Sequence, residues 1–455
     1  MIPSTPAFDA ARNIAYQEPV WVFALPTLGL TYTMRKGQAG LSSAATWMQV
    51  PTGVTQSIDN LNGKTTIGSL SVTMVDVGRT LLPLFASTNW YGAAAQILLG
   101  FAGLTYPTDY ITMFAGIVES VVPTDDHTGW VFTVVDKNRI LKDQIYTVGD
   151  VGANPVSSTN PRTLDGNPLA LALALLETEL AIPAGDIDTA AIAALQTGRF
   201  STTRMLFSLT KAQDAATFLE QELLRPHGLY HFVRYDGRIS IGDMLAPPIP
   251  VPIAFAFGDS NTLGTPAFDQ KTIYNWVEFQ LDYDGSNYLD IEEFTDAASI
   301  TKYGLQQQLS ITSQGMRTNL QGASRAGITA RRIFQRYANG PTTMVKLTAP
   351  SLQACIVEVG DYVTVTNRLL ENMAAGTLGW TNRVCQVMNV QPAWSSGKIT
   401  FSLLDVTPML RPAFQYAPDT VPSWPTATTP QRQEYMFMAN SSSEQSDGTA
   451  AAGVF

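Results

Sequence analysis

Hydrophobic and polar positions alternate with a period of two over much of this chain. Leu70, Val72 and Met74 interleave with Ser71 and Thr73. Val277, Phe279, Leu281 and Tyr283 interleave with Glu278, Gln280 and Asp282, and Ile399, Phe401 and Leu403 with Thr400 and Ser402. That period turns one face of a strand inward and the other outward. The apolar run 21–25 (Trp-Val-Phe-Ala-Leu) reads as a buried strand, and 114–122 and 130–135 flank Pro-Thr-Asp-Asp-His-Thr-Gly, which predicts a hairpin. Val357 and Val359, then Val363 and Val365, read as strand segments on either side of a Gly360-Asp361 turn. Residues 1–147 and 253–411 therefore read as two antiparallel β-barrel regions.

Between them the pattern changes. Residues 148–165 are rich in Gly, Asn, Pro, Ser and Thr, as at a boundary. Residues 169–180 are Ala/Leu-rich, and 211–224 place Ala212, Ala215, Ala216, Leu219 and Leu223 on one helical stripe, ended by Pro226. Asp236-Gly237 between 229–235 and 238–241 predicts a hairpin whose two central residues both take positive φ. This α+β domain, 148–252, leaves through the stiff Ala-Pro-Pro-Ile-Pro-Val-Pro of 246–252. One helix, 320–337, is predicted inside the second β region. Ala323, Ala326, Ala330, Ile333, Phe334 and Tyr337 form its apolar stripe, while Arg325, Arg332 and Arg336 cluster opposite, a solvated face or a contact to a neighbouring subunit. Residues 412–455, rich in Pro, Thr, Ser and Ala, read as an extended or disordered arm. The fold class is mainly β with a smaller α+β part.

The two β regions end alike. Phe132-Thr-Val-Val-Asp136 has Leu141 five residues on, and Phe401-Ser-Leu-Leu-Asp405 has Leu410 five residues on, each after a loop holding Gly129 or Gly397. That echo suggests two related barrels in one chain.

Charge changes the picture more than size does. Only 15% of residues are Asp, Glu, Lys or Arg, against about 25% in ordinary soluble domains. Such a surface belongs to a membrane, to an extensive assembly or to the world outside cells. The most apolar run, 169–182, is too short to span a bilayer and contains Glu177 and Glu179. The first residues have no basic segment followed by an apolar stretch, so no signal peptide is expected. A net charge of −10 argues against a surface that grips phosphates.

Candidate chemistry is sparse. Cys355 and Cys385 lie far apart in strand-like segments and read as buried free thiols. His127, His227 and His231 lack metal-ligand spacing, and no GxSxG, HExxH or Walker loop is present. Asp282 to Glu293 has oxygens at several calcium-loop positions. Its glycine, Gly285, falls at the fourth place instead of the sixth, so Asp284-Gly285-Ser286-Asn287 reads as a hairpin tip. No catalytic residue, cofactor or metal ligand is assigned. A glycan-cleaving enzyme carried on a virion or secreted, and a β-rich receptor-binding adhesin, stay open as alternatives.

From about 273 to 366 the chain resembles the hub proteins of phage tail baseplates, a family shared by long-tailed phages and contractile injection systems. The residues that carry the likeness are Trp276-Val-Glu-Phe-Gln, then Ser299, Ile300, Tyr303 and Gly304, then Gly315, an Ala/Arg helix ending Arg336-Tyr337, and Val-Gly360-Asp361-Tyr-Val. The helix Phe218-Leu-Glu-Gln-Glu-Leu-Leu and the following Tyr-Asp-Gly-Arg-Ile hairpin also look like that family's middle domain. The resemblance implies a structural, non-enzymatic homotrimer at the distal end of the tail. Its two barrels per chain would imitate a sixfold ring. Its partners would be the distal tail ring or tail tube, the tape measure protein, and tip, spike or fibre proteins, with viral DNA crossing the lumen without specific binding.

Overall fold

The computed structural model describes Thr426 and residues 1–410 apart from 15, 42–43, 46, 60, 62–63, 67, 199, 245–246, 248–249, 271–272, 321, 339–342 and 373–375. The expected arm 412–455 (Thr426 apart) and residues 246, 248 and 249 of the linker lie outside the described residues. Met1–Thr407 form one compact unit.

Near the N-terminus a short helix, α1 (Pro6–Arg12), is capped by Thr5 and seats Phe8 on Phe101, ring centroids 5.0 Å apart. Six strands then form the first sheet: β1 (Pro19–Leu25), β2 (Leu30–Thr33), β3 (Ser69–Val75), β4 (Ala94–Phe101), β5 (Ile111–Pro123) and β6 (Gly129–Val135). They run in the order β2-β1-β4-β5-β6-β3, antiparallel throughout. Thr33 donates to Ala45 (2.9 Å), while Gln49 and Thr52 donate to Thr73 (2.9 Å) and Ser71 (3.0 Å), so the chain after β2 bridges β2 to β3. The alternation in β3 does what it predicts: Leu70, Val72 and Met74 point into the curl with Phe23 and Phe132.

The middle region is helical at its heart. Asn167 caps α2 (Pro168–Ala174), which continues as a π-helical turn, Leu175–Glu179, and α3 (Thr189–Thr197) follows. The second helix begins at Ala215, not 211, because Gln213–Asp214 pairs with Gln144–Ile145 as strand and Asp214 then caps the helix by accepting from Thr217 N–H at 2.8 Å. Ala212 therefore lies outside it. From Phe218 to Leu224 the helix widens to π geometry, and the buried stripe becomes Ala215, Phe218, Leu219, Leu223 and Leu224.

β7 (Leu229–Val233) and β8 (Ile239–Asp243) form the expected hairpin, but with a different turn. Only Gly237 has positive φ (80°). It donates to Arg234 O and Arg234 donates to Arg238 O, each at 2.9 Å. This loop is longer than the two-residue turn expected from Asp-Gly, so one left-handed glycine suffices.

The chain lays down β9 (Ile253–Phe257) and β10 (Leu263–Gln270), then leaves the second sheet. β11 (Trp276–Tyr283), β12 (Tyr288–Thr295), α4 (Ala297–Tyr303), β13 (Gln308–Thr312) and α5 (Gly322–Tyr337) follow, before it returns in β14 (Thr343–Pro350), β15 (Tyr362–Asn372), β16 (Thr377–Ala393) and β17 (Lys398–Asp405). The detour forms its own sheet, β12-β11-β13. Its inward residues Val277, Phe279 and Ile311, with Ala326 and Ile333 of α5, share one buried core with Leu169, Phe207, Phe218 and Leu229. Residues 276–337, which the sequence pattern groups with the second β region, thus pack with the middle region. Val357 and Val359 are buried but sit in turns, not in a strand.

The second sheet runs β9-β15-β16-β17-β14-β10, and a first-region strand, Gln56–Asp59, also pairs with β16. Its core repeats the first sheet. β4-β5-β6-β3 and β15-β16-β17-β14 share connectivity and antiparallel sense. A bulge separates the pairs Val118↔Val134 and Ser120↔Thr133 in the first, and Val387↔Leu403 and Asn389↔Ser402 in the second. Phe132 packs on Phe23 at 5.3 Å, Phe401 on Phe257 at 5.2 Å. Asp136 accepts from Asn138 N–H and Asp405 from Thr407 N–H, each at 3.0 Å, starting a 3-10 turn. The sheets differ at one flank: β1 is antiparallel to β4, while β9 is parallel to β15.

Candidate functional site

The two sheets meet where the β16–β17 turn caps the open end of the first sheet. Trp394 lies on Trp21, centroids 5.0 Å apart. Gly53 is required there, since a Cβ on it would stand 1.8 Å from Pro392 O. A cavity of about 50 Å³ remains among Trp21, Leu70, Ile97, Phe114, Pro392 and Trp394. This junction is nearly filled.

Beside it lies a cleft of about 630 Å³ with a mixed polar and apolar lining, between α3, the β7–β8 hairpin and the Gly360 bend. Asp188 accepts from Arg234 at 2.7 Å and lies 3.8 Å from Arg238. Burial pushes its carboxyl up, but the Arg234 bond and the two guanidinium charges outweigh this and hold it below the usual range. Glu358 accepts from Tyr235 N–H (2.9 Å) and lies 3.3 Å from the Met1 amine, which also binds Asp361. Burial raises both carboxyls, against the pull of that amine. The arrangement ties the N-terminus, the hairpin and the second sheet together by charge. It offers no nucleophile with an adjacent base. Among the described residues no group of three His, Cys, Asp or Glu could hold a metal, and no helix is long and apolar enough to cross a membrane.

The motif residues fall in two places. Asp296 caps α4 by accepting from Ser299 N–H (2.9 Å), the buried Ser299 hydroxyl donates to Ala338 O (2.6 Å), and Gly304 ends the helix at φ 62° by donating to Ile300 O. Ile300 and Tyr303 are half-buried on the same helix, with Lys302 Nζ 4.9 Å from the Tyr303 ring. Gly315 lies against Phe207, where a Cβ would come within 2.2 Å of the ring. Ser299 thus anchors α4 to the end of α5, and Gly315 packs on the middle core. Gly360 (φ 88°) and Asp361 instead dock the start of β15 on β16: Gly360 donates to Val387 O and Val387 to Asp361 O, both at 2.8 Å.

The three arginines reach partners inside the chain. Arg336 is buried and donates to Met244 O (2.8 Å) and Gln386 Oε1 (3.0 Å). Arg332 lies 3.5 Å from His227 O and 5.9 Å from the Phe200 ring, and Arg325 donates to Thr202. The exposed arginine of α5 is Arg331. His227 is packed against Met205 Sδ (3.3 Å), and burial, with Arg325 and Arg332 nearby, lowers it to about 3. His231 is buried 3.9 Å from Glu220, and His127 is exposed in the β5–β6 turn. Asp284 accepts from Ser286 and Asn287 N–H groups (2.7 Å each), the hairpin tip that the misplaced glycine predicts. Cys355 and Cys385 are buried and free. Sequence reasoning missed Trp394 and Glu358. Trp394 had one signal: it sits in a loop matched in length and in its leading proline to the loop after Pro123.

The class defined here is a chain with two related curled β-sheets flanking an α+β middle. No family model and no curated protein matches it. Among solved structures it is similar to a 43 kDa tail protein of prophage MuSo2 from Shewanella oneidensis (13% identity, TM-score 0.45, covering 86% of this chain and 99% of that one). It is also similar to a tail protein from Neisseria meningitidis MC58 (11%, 0.47, 87% and 100%) and to prophage tail protein gp18 from Listeria monocytogenes EGD-e (10%, 0.45, 84% and 94%).

Proposed function

We propose that this chain is a structural, non-catalytic virion protein: the trimeric hub at the distal end of a phage tail. It would join the tail tube or distal tail ring to the tip and fibres, contact the tape measure protein, and form part of the channel for genome ejection. The observation that carries this reading is the internal likeness of the two sheets, which extends to connectivity, bulge position and loop length. Two like modules per chain let three copies present six like surfaces to a sixfold ring. The motif order quoted above supports the same family. A surface poor in charge suits extensive interfaces, and a net charge of −10 keeps DNA phosphates from adhering to the channel.

Native mass spectrometry of the purified chain, alone and with neighbouring tail proteins, tests this. The expected species is a trimer that binds a ring of six. A chain that stays monomeric and ignores those proteins overturns the proposal. Cell-wall zymography separates the enzymatic alternative: a cleared band lost on removing one carboxylate pair would replace the hub reading. Strong binding of the isolated chain to host cells would favour an adhesin.

A further inference from the structure

We infer that the β5–β6 turn of one copy caps the second sheet of another copy, placing Asp125 at Arg383. The inference rests on the hub reading for its assembly of like copies and adds which surfaces meet.

Within one copy the contact already exists in its other form. The β16–β17 turn, with Trp394, seats on the first sheet at an end lined by Phe114. The ladders identify the counterparts. Six residues separate the paired Pro123 and Trp130, and six separate the paired Pro392 and Ile399. Asp125 is second after its proline and Trp394 second after its own. Phe114 lies four residues before the bulge-flanking Val118 and opposite Ile97, while Arg383 lies four before Val387 and opposite Val365. Trp394 and Phe114, which line one cavity, thus correspond to Asp125 and Arg383, residues of opposite charge. Both members have changed, and in complementary senses, as a second interface on the same geometry requires.

The turn is available for such a contact. Pro123, Asp125, Asp126 and His127 are exposed, and the neighbouring Val122 and Val75 show 48% and 38% of their surface. Arg383 donates to Asp405 (2.9 Å) and Asn372 (2.6 Å). Those bonds use two of the five N–H donors of a guanidinium, so it can take a second carboxylate. The contact is head-to-tail, turn to sheet end, and each copy has one of each. Closed after three copies, it alternates with the internal contact around a ring of six sheets.

The test combines assembly and cross-linking. Native mass spectrometry compares the unaltered chain with D125R, and carbodiimide cross-linking is run on R383K, which keeps the charge and supplies an amine. The expected results are a loss of trimer in D125R of about tenfold or more, and a 125–383 amide between copies in R383K trimers that disappears in D125N/R383K. A trimer that persists in D125R without that link overturns the contact and leaves the hub reading standing. Links from the introduced amine only to acids of its own 412–455 arm overturn it too, by naming another occupant. An unaltered chain that is monomeric throughout overturns both.

Discussion

The two sheets share a ladder but treat the same aspartate in opposite ways. In the second, Asp405 is ion-paired with Arg383 at 2.9 Å. In the first, Asp136 has Phe114 at the position of that arginine. Its carboxylate is held by the N–H groups of Gly68 and Asn138, and a Cβ on Gly68 would lie 3.0 Å from it and 3.4 Å from the Phe114 ring. Only 1% of Asp136 is exposed, and burial pushes its carboxyl up to about 7 against those two N–H bonds. What the sheets keep is the register of inward apolar residues and the bulge that sets the curl. The electrostatic company of a capping aspartate is free to diverge, because the backbone N–H that starts the 3-10 turn binds the carboxyl either way.

The hardest break is at the shared interior. Phe132→Asp and Phe401→Asp each place an unpaired charge at a fully buried position. Each is expected to cost about 4 kcal/mol or more and to remove most soluble folded chain. Comparable losses in thermal melts mean the two phenylalanines do the same work. Tolerance at either position would end their equivalence.

Next is the ion pair. Arg383→Met leaves the Asp405 carboxylate, 9% exposed, without its cation. The expected cost is about 3 kcal/mol. Chemical denaturation measures it, and a loss below about 1 kcal/mol would mean that the pair contributes no more than an exposed one.

Asp136→Asn probes the opposite case. A carboxyl raised in the folded state favours folding at low pH, and that contribution is lost as pH rises from about 4, its unfolded value, to about 7. Above 7 the burden is constant. The substitution removes the burden but keeps only one good acceptor, so a net gain on the order of 2 kcal/mol at pH 8 is expected, with little change at pH 4. Melting curves across that range would show the slope flatten. A slope left unchanged would mean that Asp136 does not carry it.

Much of this comparison is legible in the chain, and the limits have physical causes. Inward alternation at Leu70 to Met74 and Ile399 to Leu403 reports burial on one face, so those strands and the Phe-x-x-x-Asp echo could be read locally. Alternation carries no strand direction, so the parallel pairing of β9 could not. A 3.6-residue stripe finds Ala215, Leu219 and Leu223 but not Phe218 and Leu224, which the π geometry of 218–224 also buries. The arginine side of α5 reads as solvated because a stripe identifies one buried face only. Here the middle core covers one side and Met244 and Gln386 receive Arg336 on the other. The Glu358–Asp361 clamp joins residues about 360 positions from the N-terminus to Met1, a distance no local pattern spans.

The smallest effect separates backbone strain from docking on the first sheet. Gly237 and Gly304 both have left-handed φ, 80° and 62°. A Cβ at Gly304 would meet nothing within 4 Å, whereas one at Gly237 would lie 3.0 Å from Ala115 O and 3.2 Å from Ala115 Cβ, on β5. Gly304→Ala should therefore cost only the strain of an alanine in that conformation, about 1 kcal/mol. Gly237→Ala should cost that plus a displacement of the hairpin tip from the first sheet, together about 1.5 kcal/mol. Denaturant midpoints at matched slopes resolve the difference. Equal costs would mean that the β7–β8 tip yields to the added methyl without resistance from β5.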